Sequence, residues 1–482
     1  MIRRIFQLLL IGLAMLVCIV LINTFRFNTE LPIKPSLPVP AISDSAIRHM
    51  SEAVQIKTIS YADSLPIDTT EYLRFRSFLE RAYPLIQQNL PRKIFNQFSY
   101  LYTWEGKDKS LRPYVIMAHT DVVPVEEASL KKWRVPPFSG AVKDSMIWGR
   151  GVVDDKGCVV PILEAVEDLL QKHYQPQRTI YLSFGHDEEI SGTHGARSIV
   201  DWFKAQQIHP ELVIDEGGEF TVEQFPDLKR PVAAIGVGEK GYLSFTLRVE
   251  MPGGHSSMPQ KETAIDVMST ALVHLRRKQM PFHITEPMKV LLGRVGAQGS
   301  FLRRMAISNQ WLFQPLLEKE FEKDHVTNSL FHTTIVPTIL TAGIKDNVIP
   351  TEVTAIVNCR NLPGDSQEDV IRFMTQQIGD NRVQIIPEKG NKEASAITDI
   401  KGPAFKKVES LCYEVMPDAA TVPYLLMGGT DSYYFGEVSD GVIKFAASTD
   451  GKGYHGIDER LAVSDFKRMI FFYSLLIQQS GK

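Results

Sequence analysis

Three nearly continuous apolar runs, each followed directly by acidic or imidazole residues, constrain the fold of this chain more than any other feature. The runs cover residues 114–118, 179–184 and 211–214, and they alternate with stretches of helical periodicity. Strands that are covered by helices on both faces read as continuous apolar sequence, and such alternation is typical of a mostly parallel sheet. The sequence therefore predicts an α/β fold. Ahead of these runs, the apolar periodicity of residues 71–90 predicts a single amphipathic helix.

The residues that follow these runs can bind metal or transfer protons. They are His119–Asp121, His186–Glu189 and Asp215–Glu216. A fourth acidic cluster, Gly151–Gly157, precedes a helical pattern. Each cluster alone also fits an ordinary structural role, such as helix capping. In open α/β sheets, however, ligands bind at the carboxyl ends of strands, so we expect the clusters to converge. Buried carboxylates at this density need a cation, and imidazole with carboxylate favours zinc, followed by manganese or cobalt.

The pattern changes after Gly241, where residues 242–250 alternate between apolar and polar side chains. A strand of this kind has one exposed face. The helices and strands that follow give the order β-α-β-β-α-β, which predicts a smaller, ferredoxin-like α+β domain inserted into the larger one. The predicted boundaries are 28–44 for a Pro-rich linker, 45–238 and 392–482 for the catalytic domain, and 239–391 for the inserted domain, with a helical insertion at about 286–332.

The N-terminus predicts a membrane segment within residues 1–27. Residues 5–22 are apolar except for Gln7 and follow Arg3 and Arg4. The run lies at the lower edge of a membrane-spanning helix and exceeds the usual core of a signal peptide, so an uncleaved anchor is favoured over a cleaved signal. The two arginines would keep the N-terminus cytoplasmic and place the body outside the cytoplasm. Cleavage would instead give a secreted protein.

Charge and cysteine content argue against several other classes of protein. Lys+Arg 53 and Asp+Glu 56 give a formal net charge of −3, so there is no electrostatic reason to expect nucleic acid as a partner. The chain has four cysteines and no CxxC pair. This argues against a disulfide scaffold and against a zinc-finger module, and leaves a single disulfide bridge open.

Seven motifs resemble the dinuclear-zinc exopeptidase and aminoacylase family, which includes carboxypeptidase S, glutamate carboxypeptidase and N-fatty-acyl-amino acid hydrolases. The motifs are AHTDVVP (118–124), WGRGVVDDKG (148–157), GHDEEISGTHGA (185–196), IDEGG (214–218), GGHSSMP (253–259), GGTDSYYF (428–435) and YHGIDE (454–459). The resemblance begins at about residue 45, continues to the end, and is strongest to the carboxypeptidase S-like branch. It implies a zinc-exopeptidase-type sheet with the small domain as lid or dimerisation domain, and monomers and homodimers both occur in the family.

The resemblance implies two zinc ions per chain, with cobalt or manganese as substitutes. The implied metal ligands are His119, Asp154, Glu189, Asp215 and His455. Asp154 would bridge the ions, and its peptide bond to the next residue is cis in relatives. Asp121 would orient the ring of His119, and Glu188 would be the general base toward water. Glu216, beside Asp215, is an alternative ligand.

Further residues match family positions that act on the substrate. His255 would donate to the developing oxyanion. Arg360 and Asn347 would contact the substrate, since a planar guanidinium can bond a carboxylate bidentately. Gly429 and Thr430 match a loop that holds the same end of the substrate.

The sequence thus predicts a two-zinc hydrolase that cleaves the amide bond next to a C-terminal free amino acid. Dipeptides, short peptides and N-acyl amino acids are the expected substrates. The alternatives are an aminopeptidase or dipeptidase with the same two-metal mechanism, and a non-catalytic anchored peptide-binding protein. Side-chain and acyl-group specificity, the metal used in the cell and the oligomeric state stay open.

Overall fold

The structure is a computed structural model that describes residues 2–27, 37–40, 43–62, 65–225, 228 and 230–481. Its described residues fall into two compact units. The larger unit comprises Thr29–Val237, Thr398–Tyr424 and Thr430–Lys482, and the smaller unit comprises Met1–Asn28, Gly238–Ile397 and Leu425–Gly429. The predicted Pro-rich linker lies mostly outside the described residues.

Short strands occur along most of the chain. They are β1 (Arg92–Phe95), β2 (Ser99–Trp104), β3 (Tyr114–His119), β4 (Val142–Lys143), β5 (Met146–Trp148), β6 (Ile180–Gly185), β7 (Leu212–Asp215), β8 (Phe220–Thr221), β9 (Val232–Glu239), β10 (Leu243–Glu250), β11 (Gly254–His255), β12 (Thr334–Ala342), β13 (Val348–Ile349), β14 (Glu352–Arg360), β15 (Val383–Pro387), β16 (Ala420–Leu426), β17 (Val442–Lys444) and β18 (Arg460–Ala462).

Helices lie before the first strand, after the last strand and between several of the others. They are α1 (Ile2–Arg26), α2 (Asp44–Gln55), α3 (Thr69–Ala82), α4 (Pro84–Asn89), α5 (Lys156–Gln171), α6 (Ala196–Ala205), α7 (Ala264–Arg277), α8 (Glu286–Gly296), α9 (Phe301–Ser308), α10 (Gln310–Phe321), α11 (His325–Phe331), α12 (Gln367–Ile378), α13 (Pro403–Val415) and α14 (Val463–Gln478). Short 3-10 helices cover Glu127–Lys132, Glu188–Ile190 and Asp431–Glu437.

The main sheet of the larger unit is mixed, with parallel strands at its centre. The strand order is β1-β2-β6-β3-β7-β17-β9-β16, and β8 pairs with β9. The neighbours β6, β3, β7 and β17 run parallel, whereas β1 with β2, β2 with β6, and β9 with β17 are antiparallel pairs. Strands β3, β6 and β7 are buried along their whole length, as their apolar runs predict.

Helices cover both faces of this sheet. Alternate residues of β3 enter two separate apolar clusters: Ile116 and Ala118 lie in one cluster, and Val115 and Met117 in the other. Helix α5 packs against α2, α4 and α14 on the first side, and α6 packs against β6 and the 3-10 helix Asp431–Glu437 on the second. The predicted fold class, a sheet flanked by helices, is confirmed.

The smaller unit contains an antiparallel sheet with the strand order β12-β14-β10-β15. In chain order its elements are β10, α7, β12, β14, α12 and β15, which is the predicted β-α-β-β-α-β arrangement. Buried and half-buried residues alternate along β10, because only one face of the sheet is covered by α7. Capping boxes at Thr263 and Ser366 start α7 and α12.

Two further parts of the smaller unit lie outside this sheet. Helices α8–α11 fill the predicted insertion between α7 and β12. Helix α1 is long and apolar enough to cross a membrane by length and composition.

All four cysteines are free, so the single disulfide bridge that the sequence leaves open is not formed.

The structure corrects one helix prediction. The sequence pattern predicts a single amphipathic helix over residues 71–90, which is wrong. Instead α3 ends at Ala82, and α4 begins at Pro84 after the intervening Tyr83. Proline lacks an N–H group and restricts the residue before it, so a helix ends there and a new one starts with proline in its first turn.

Candidate active site

The carboxyl ends of the central parallel strands carry the predicted site residues. His119, the last residue of β3, lies opposite Gly185, the last residue of β6, in the parallel register. The short 3-10 helix with Glu188 and Glu189 follows β6, and β7 ends at Asp215. Since parallel neighbours end at the same sheet edge, these side chains lie close together.

The carboxylate of Asp154 lies between two histidines. Its Oδ1 is 3.0 Å from Nε2 of His119, and its Oδ2 is 3.0 Å from Nε2 of His455. His455 has a φ of 51°, an uncommon backbone conformation for a residue other than glycine. The peptide bond between Asp154 and Asp155 is cis, as the family resemblance implies. One carboxylate oxygen is therefore available to each of two neighbouring sites.

Two groups of ligand atoms share Asp154. In each group the ligand atoms lie within 4.8 Å of one another. The groups are His119, Asp154 and Glu216, and Asp154, Glu189 and His455. Imidazole nitrogens and carboxylate oxygens in this combination are typical ligands of zinc and of other divalent first-row metals.

The structure brings Glu216, and not Asp215, into the first group. Oε1 of Glu216 lies 3.2 Å from Nε2 of His119. Asp215 instead accepts a hydrogen bond from the backbone N–H of Ser432 through Oδ2, at 2.9 Å. Successive side chains of an extended segment point to opposite sides, so only one of two adjacent residues can face the histidine. Of these two adjacent carboxylates, the structure therefore places Glu216, the alternative that the sequence leaves open, beside His119, and the ligand role of either residue stays a prediction.

Asp121 connects His119 with the loop that carries the two glutamates. Its Oδ1 lies 3.3 Å from Nδ1 of His119. Its two carboxylate oxygens also accept the backbone N–H groups of Glu188 and Glu189, each at 3.2 Å. Asp121 is fully buried, so this set of bonds is shielded from water. It orients the imidazole ring and fixes the start of the 3-10 helix at the same time.

The buried carboxylate of Glu459 holds the segment that leads to Asp154. It accepts the backbone N–H groups of Val153 at 2.9 Å and Asp154 at 3.2 Å, and it pairs with Nη1 of Arg150 at 2.6 Å. Burial raises the pKa of Glu459 to about 7, against the opposing effect of Arg150. Glu459 and His455 lie on one segment, which therefore supplies both a ligand candidate and the residue that positions Asp154.

Glu188 lies beside this pair of groups. Its Oε2 is 3.9 Å from Nε2 of His119. Burial raises the pKa of Glu188 well above its ordinary value, and the carboxylates of Glu216 and Asp431 raise it further, although His119 opposes them. A carboxyl group with a raised pKa can accept and return a proton near neutral pH.

The site contains more buried negative groups than the two histidines can neutralise. Burial raises the pKa of Glu216 to about 8, and nearby Asp154 adds to the shift. Within the described part of this site, three buried carboxylate oxygens have no hydrogen-bond partner: Asp155 Oδ1, Glu189 Oε1 and Asp431 Oδ2. Unpaired buried carboxylates are costly, and metal cations compensate such charge. The residues present therefore fit a site for metal ions.

Comparisons with known proteins agree with this geometry. Residues 115–479 match Peptidase family M20/M25/M40. The chain is 36% identical to a probable carboxypeptidase S-like 2 of Dictyostelium discoideum over 498 residues, which cover 100% of this chain and 95% of that protein. It is 34% identical to the human N-fatty-acyl-amino acid synthase/hydrolase PM20D1 over 89% of this chain and 86% of that protein.

The chain belongs to peptidase family M20/M25/M40. Its fold is similar to that of YXEP from Bacillus subtilis, which is described as a dinuclear metal-binding peptidase from the M20 family, with a TM-score of 0.54 and 13% identity over 90% of this chain and 98% of that chain. Its fold is similar to that of an M20 family metallo-carboxypeptidase, Sso-CP2, from Sulfolobus solfataricus, with a TM-score of 0.65 and 17% identity over 90% of this chain and 99% of that chain.

His255 and Asn347 of this M20 family member are neighbours within the smaller unit. Strands β11 and β13 pair Gly254 with Ile349 and His255 with Val348. The ring nitrogen Nδ1 of His255 accepts the backbone N–H of Ser257 at 3.2 Å, which assigns the ring proton to Nε2. The buried Oδ1 of Asn347 has no hydrogen-bond partner among the described residues.

Arg360 ends β14 in the same unit. Its guanidinium stacks on the ring of Tyr242, with 4.5 Å between the guanidinium carbon and the ring centroid. Within the part of the chain that the structure describes, Arg360 has no ion pair with a carboxylate.

The two predicted loop residues, Gly429 and Thr430, have different surroundings. Gly429 has open space where a side chain would stand, whereas Oγ1 of Thr430 is hydrogen-bonded to Oγ of Ser432 at 2.7 Å. The substrate-binding roles of these residues stay predictions.

Sequence reasoning assigned no role to Glu459 or Arg150. The sequence nevertheless contains a signal for both residues, because Glu459 ends the YHGIDE motif and Arg150 lies in WGRGVVDDKG. The functional interpretation of these motifs rests on their candidate metal ligands, His455 and Asp154. Nothing in the sequence alone shows that the two motifs bond to each other across more than 300 residues, as Arg150 and Glu459 do.

We expect the Glu459→Gln variant to bind zinc about 10- to 100-fold more weakly, because the loop that carries Asp154 loses its charged acceptor. Competition with a chromogenic chelator measures this affinity, and circular dichroism verifies folding. The matched control is Glu127→Gln at an exposed position, which should leave zinc affinity unchanged. An unchanged affinity in Glu459→Gln would show that Glu459 does not position the ligand.

Proposed function

We propose that this M20 family member is a two-metal hydrolase that releases a C-terminal free amino acid by cleaving the adjacent amide bond. The expected substrates are dipeptides, short peptides and N-acyl amino acids. The observation that carries the proposal is the pair of ligand groups that share Asp154, with Glu188 beside them. The alternative of a non-catalytic binding protein is disfavoured, because candidate ligands and a candidate base are all present.

In this proposal His119, Asp154 and Glu216 hold one ion, and Asp154, Glu189 and His455 hold the other. Zinc fits these nitrogen and oxygen ligands, with cobalt or manganese as substitutes. When bound, such ions lower the pKa of water and polarise the amide carbonyl. The unpartnered Oε1 of Glu189 gives that carboxylate a further oxygen that is free to bind a cation.

Glu188 is the proposed general base. Its buried carboxylate takes a proton from the attacking water and returns it to the departing amine. Asp121 supports this step by positioning Glu188. Its carboxylate accepts the backbone N–H of Glu188 and also lies beside the imidazole ring of His119. The base and one ligand are thereby held in a fixed relation before substrate binds, which reduces the reorganisation that the reaction requires.

A free α-carboxylate is the proposed recognition element of the substrate. Arg360 can bind it bidentately, because within the described residues its guanidinium stacks on Tyr242 and forms no salt bridge with a carboxylate, although the charge of Glu239 acts on it. Asn347, Gly429 and Thr430 are the proposed partners for the same end of the substrate. His255, with its proton on Nε2, is the proposed donor to the oxyanion.

The names of two relatives support this substrate class. One is a probable carboxypeptidase S-like protein, and another is an N-fatty-acyl-amino acid synthase/hydrolase. A C-terminal peptide residue and an N-acyl amino acid share a free carboxylate next to the amide that is cleaved.

We further propose that α1 is an uncleaved single-pass anchor, with the N-terminus cytoplasmic and the body outside the cytoplasm.

The Glu188→Gln variant should keep its metal and lose about 100- to 10,000-fold in kcat, because the amide cannot accept a proton. Amino-acid release from an N-acyl amino acid measures turnover, and elemental analysis measures metal content. Exposed Glu126→Gln serves as the matched control. Substantial residual turnover in a metal-loaded Glu188→Gln variant would contradict the role of Glu188 as base.

The Arg360→Ala variant should raise KM about 10- to 100-fold for substrates with a free carboxylate, because a hydrogen-bonded ion pair is lost. Substrates with an amidated C-terminus should be far less affected. Arg360→Lys keeps the charge and should recover part of the affinity. Equal changes for both substrate types would exclude Arg360 from carboxylate recognition.

An N-terminally blocked dipeptide in the same panel separates the main proposal from its rival. An aminopeptidase needs a free amino terminus and should leave this substrate intact. The proposed enzyme should cleave it, since it recognises the other end.

A further inference from the structure

The helical insertion of the smaller unit binds the end of the apolar helix α1. Asn309, between α9 and α10, is fully buried and donates through Nδ2 to the backbone oxygen of Val20 at 3.2 Å. Its Oδ1 accepts Nδ2 of Asn23 at 2.9 Å. Thr24 is also fully buried, and Oγ of Ser308 donates to its Oγ1 at 3.4 Å. The contact therefore consists of specific polar bonds at one end of α1.

Arg304 of α9 caps the C-terminal end of the same helix. Its Nη2 donates to the backbone oxygens of Thr24 at 3.2 Å and Phe27 at 3.3 Å. The last carbonyl groups of a helix have no partner within the helix, and a positive charge there also interacts favourably with the helix dipole. The rings of Phe25 and Phe301 add an apolar contact, with 6.0 Å between their centroids.

These contacts lie at the C-terminal end of the apolar run of α1, where Val20 belongs to the run and the other contacted residues follow it. Residues 5–22 would extend over roughly 27 Å as a helix, close to the thickness of the hydrocarbon layer of a bilayer. Asn23 and Thr24 come directly after this run. If α1 spans a membrane, the bonds of Asn309 and Arg304 therefore lie at the level where hydrocarbon gives way to lipid headgroups.

Large apolar side chains of α9 and α10 are exposed beside this contact. Leu302 is 69% exposed, Trp311 60% and Leu316 58%, and Phe301 and Leu312 are exposed as well. Those on α10 lie within residues 311–316, close in sequence to Asn309, whereas Glu318, Lys319 and Glu320 follow them. Exposed apolar side chains that cluster on a protein commonly mark an interaction surface, and tryptophan favours the membrane interface.

We propose that α9 and residues 310–316 of α10 form a platform that lies in the interfacial layer of the same lipid bilayer that α1 crosses. This inference rests on the proposed membrane span. Its occupant is lipid, because the exposed apolar side chains lie on the two helices that flank Asn309, which holds the end of the apolar helix α1, and because charged residues follow them along α10. Retention of α1 follows as well, since its removal would leave the buried Asn309 without its partners on that helix.

The platform is tested with the full chain reconstituted into phosphatidylcholine vesicles, using tryptophan emission. Vesicles with brominated acyl chains quench a tryptophan that contacts the hydrocarbon border, and unbrominated vesicles give the reference. We expect quenching in the parent chain and loss of most of the quenched signal in Trp311→Phe. The matched control, Trp202→Phe on α6 of the larger unit, should keep it.

A second pair of variants tests the apolar patch without removing the reporter. Leu312→Glu with Leu316→Glu should reduce the lipid quenching of Trp311 and increase its quenching by aqueous iodide. Leu73→Glu, at an exposed position of α3, should change neither. Equal lipid quenching in the parent chain and in Trp311→Phe would overturn the proposal. Shielding of Trp311 from iodide without quenching by lipid would also overturn it, and would indicate a protein partner such as a second copy.

Flotation of the vesicles after an alkaline carbonate wash separates the underlying proposals. A chain that does not float contradicts both the span and the platform. A chain that floats with Trp311 unquenched by lipid contradicts the platform alone. Hydrolysis of a soluble N-acyl amino acid, measured on the same vesicles, tests the proposed catalytic function independently of all these results.

Discussion

The carboxylate of Asp154 is the point on which the rest of this site depends. Its two oxygens lie 3.0 Å from two different histidines, and a glutamate completes a three-residue group on each side. So many buried carboxylates cannot remain ionised together without cations. This electrostatic demand supports the proposal that the site of this M20 family member holds two metal ions beside one general base.

Two parts of the fold meet this demand. The parallel strands β3, β6 and β7 end at one sheet edge, which brings His119, the two glutamates of the 3-10 helix and Glu216 together. The second part is the segment 454–459 near the end of the chain, which supplies His455 as a ligand candidate and Glu459 as a support for the loop of Asp154. Close positioning of a ligand by a buried acceptor is a common means of tuning metal sites.

The sequence predicts the sheet and most of this site because strand ends and motifs are local patterns. It fails where the outcome depends on the direction of one side chain or on distant contacts. Asp215 and Glu216 are adjacent acidic residues, and only the backbone geometry after β7 decides that Glu216 faces His119. Glu459 supports Asp154 across roughly 300 residues of chain, which no local pattern can indicate. Pro84 by itself indicates the helix break at Tyr83, but the apolar periodicity on either side of it favours one continuous helix.

Anomalous diffraction at the zinc absorption edge, on crystals equilibrated with zinc, measures directly whether this site holds two ions. We expect two anomalous peaks per chain that share Asp154, one bound also by His119 and Glu216 and the other by Glu189 and His455. A single peak, or two peaks without contact to Asp154, would show that Asp154 does not join two metal sites.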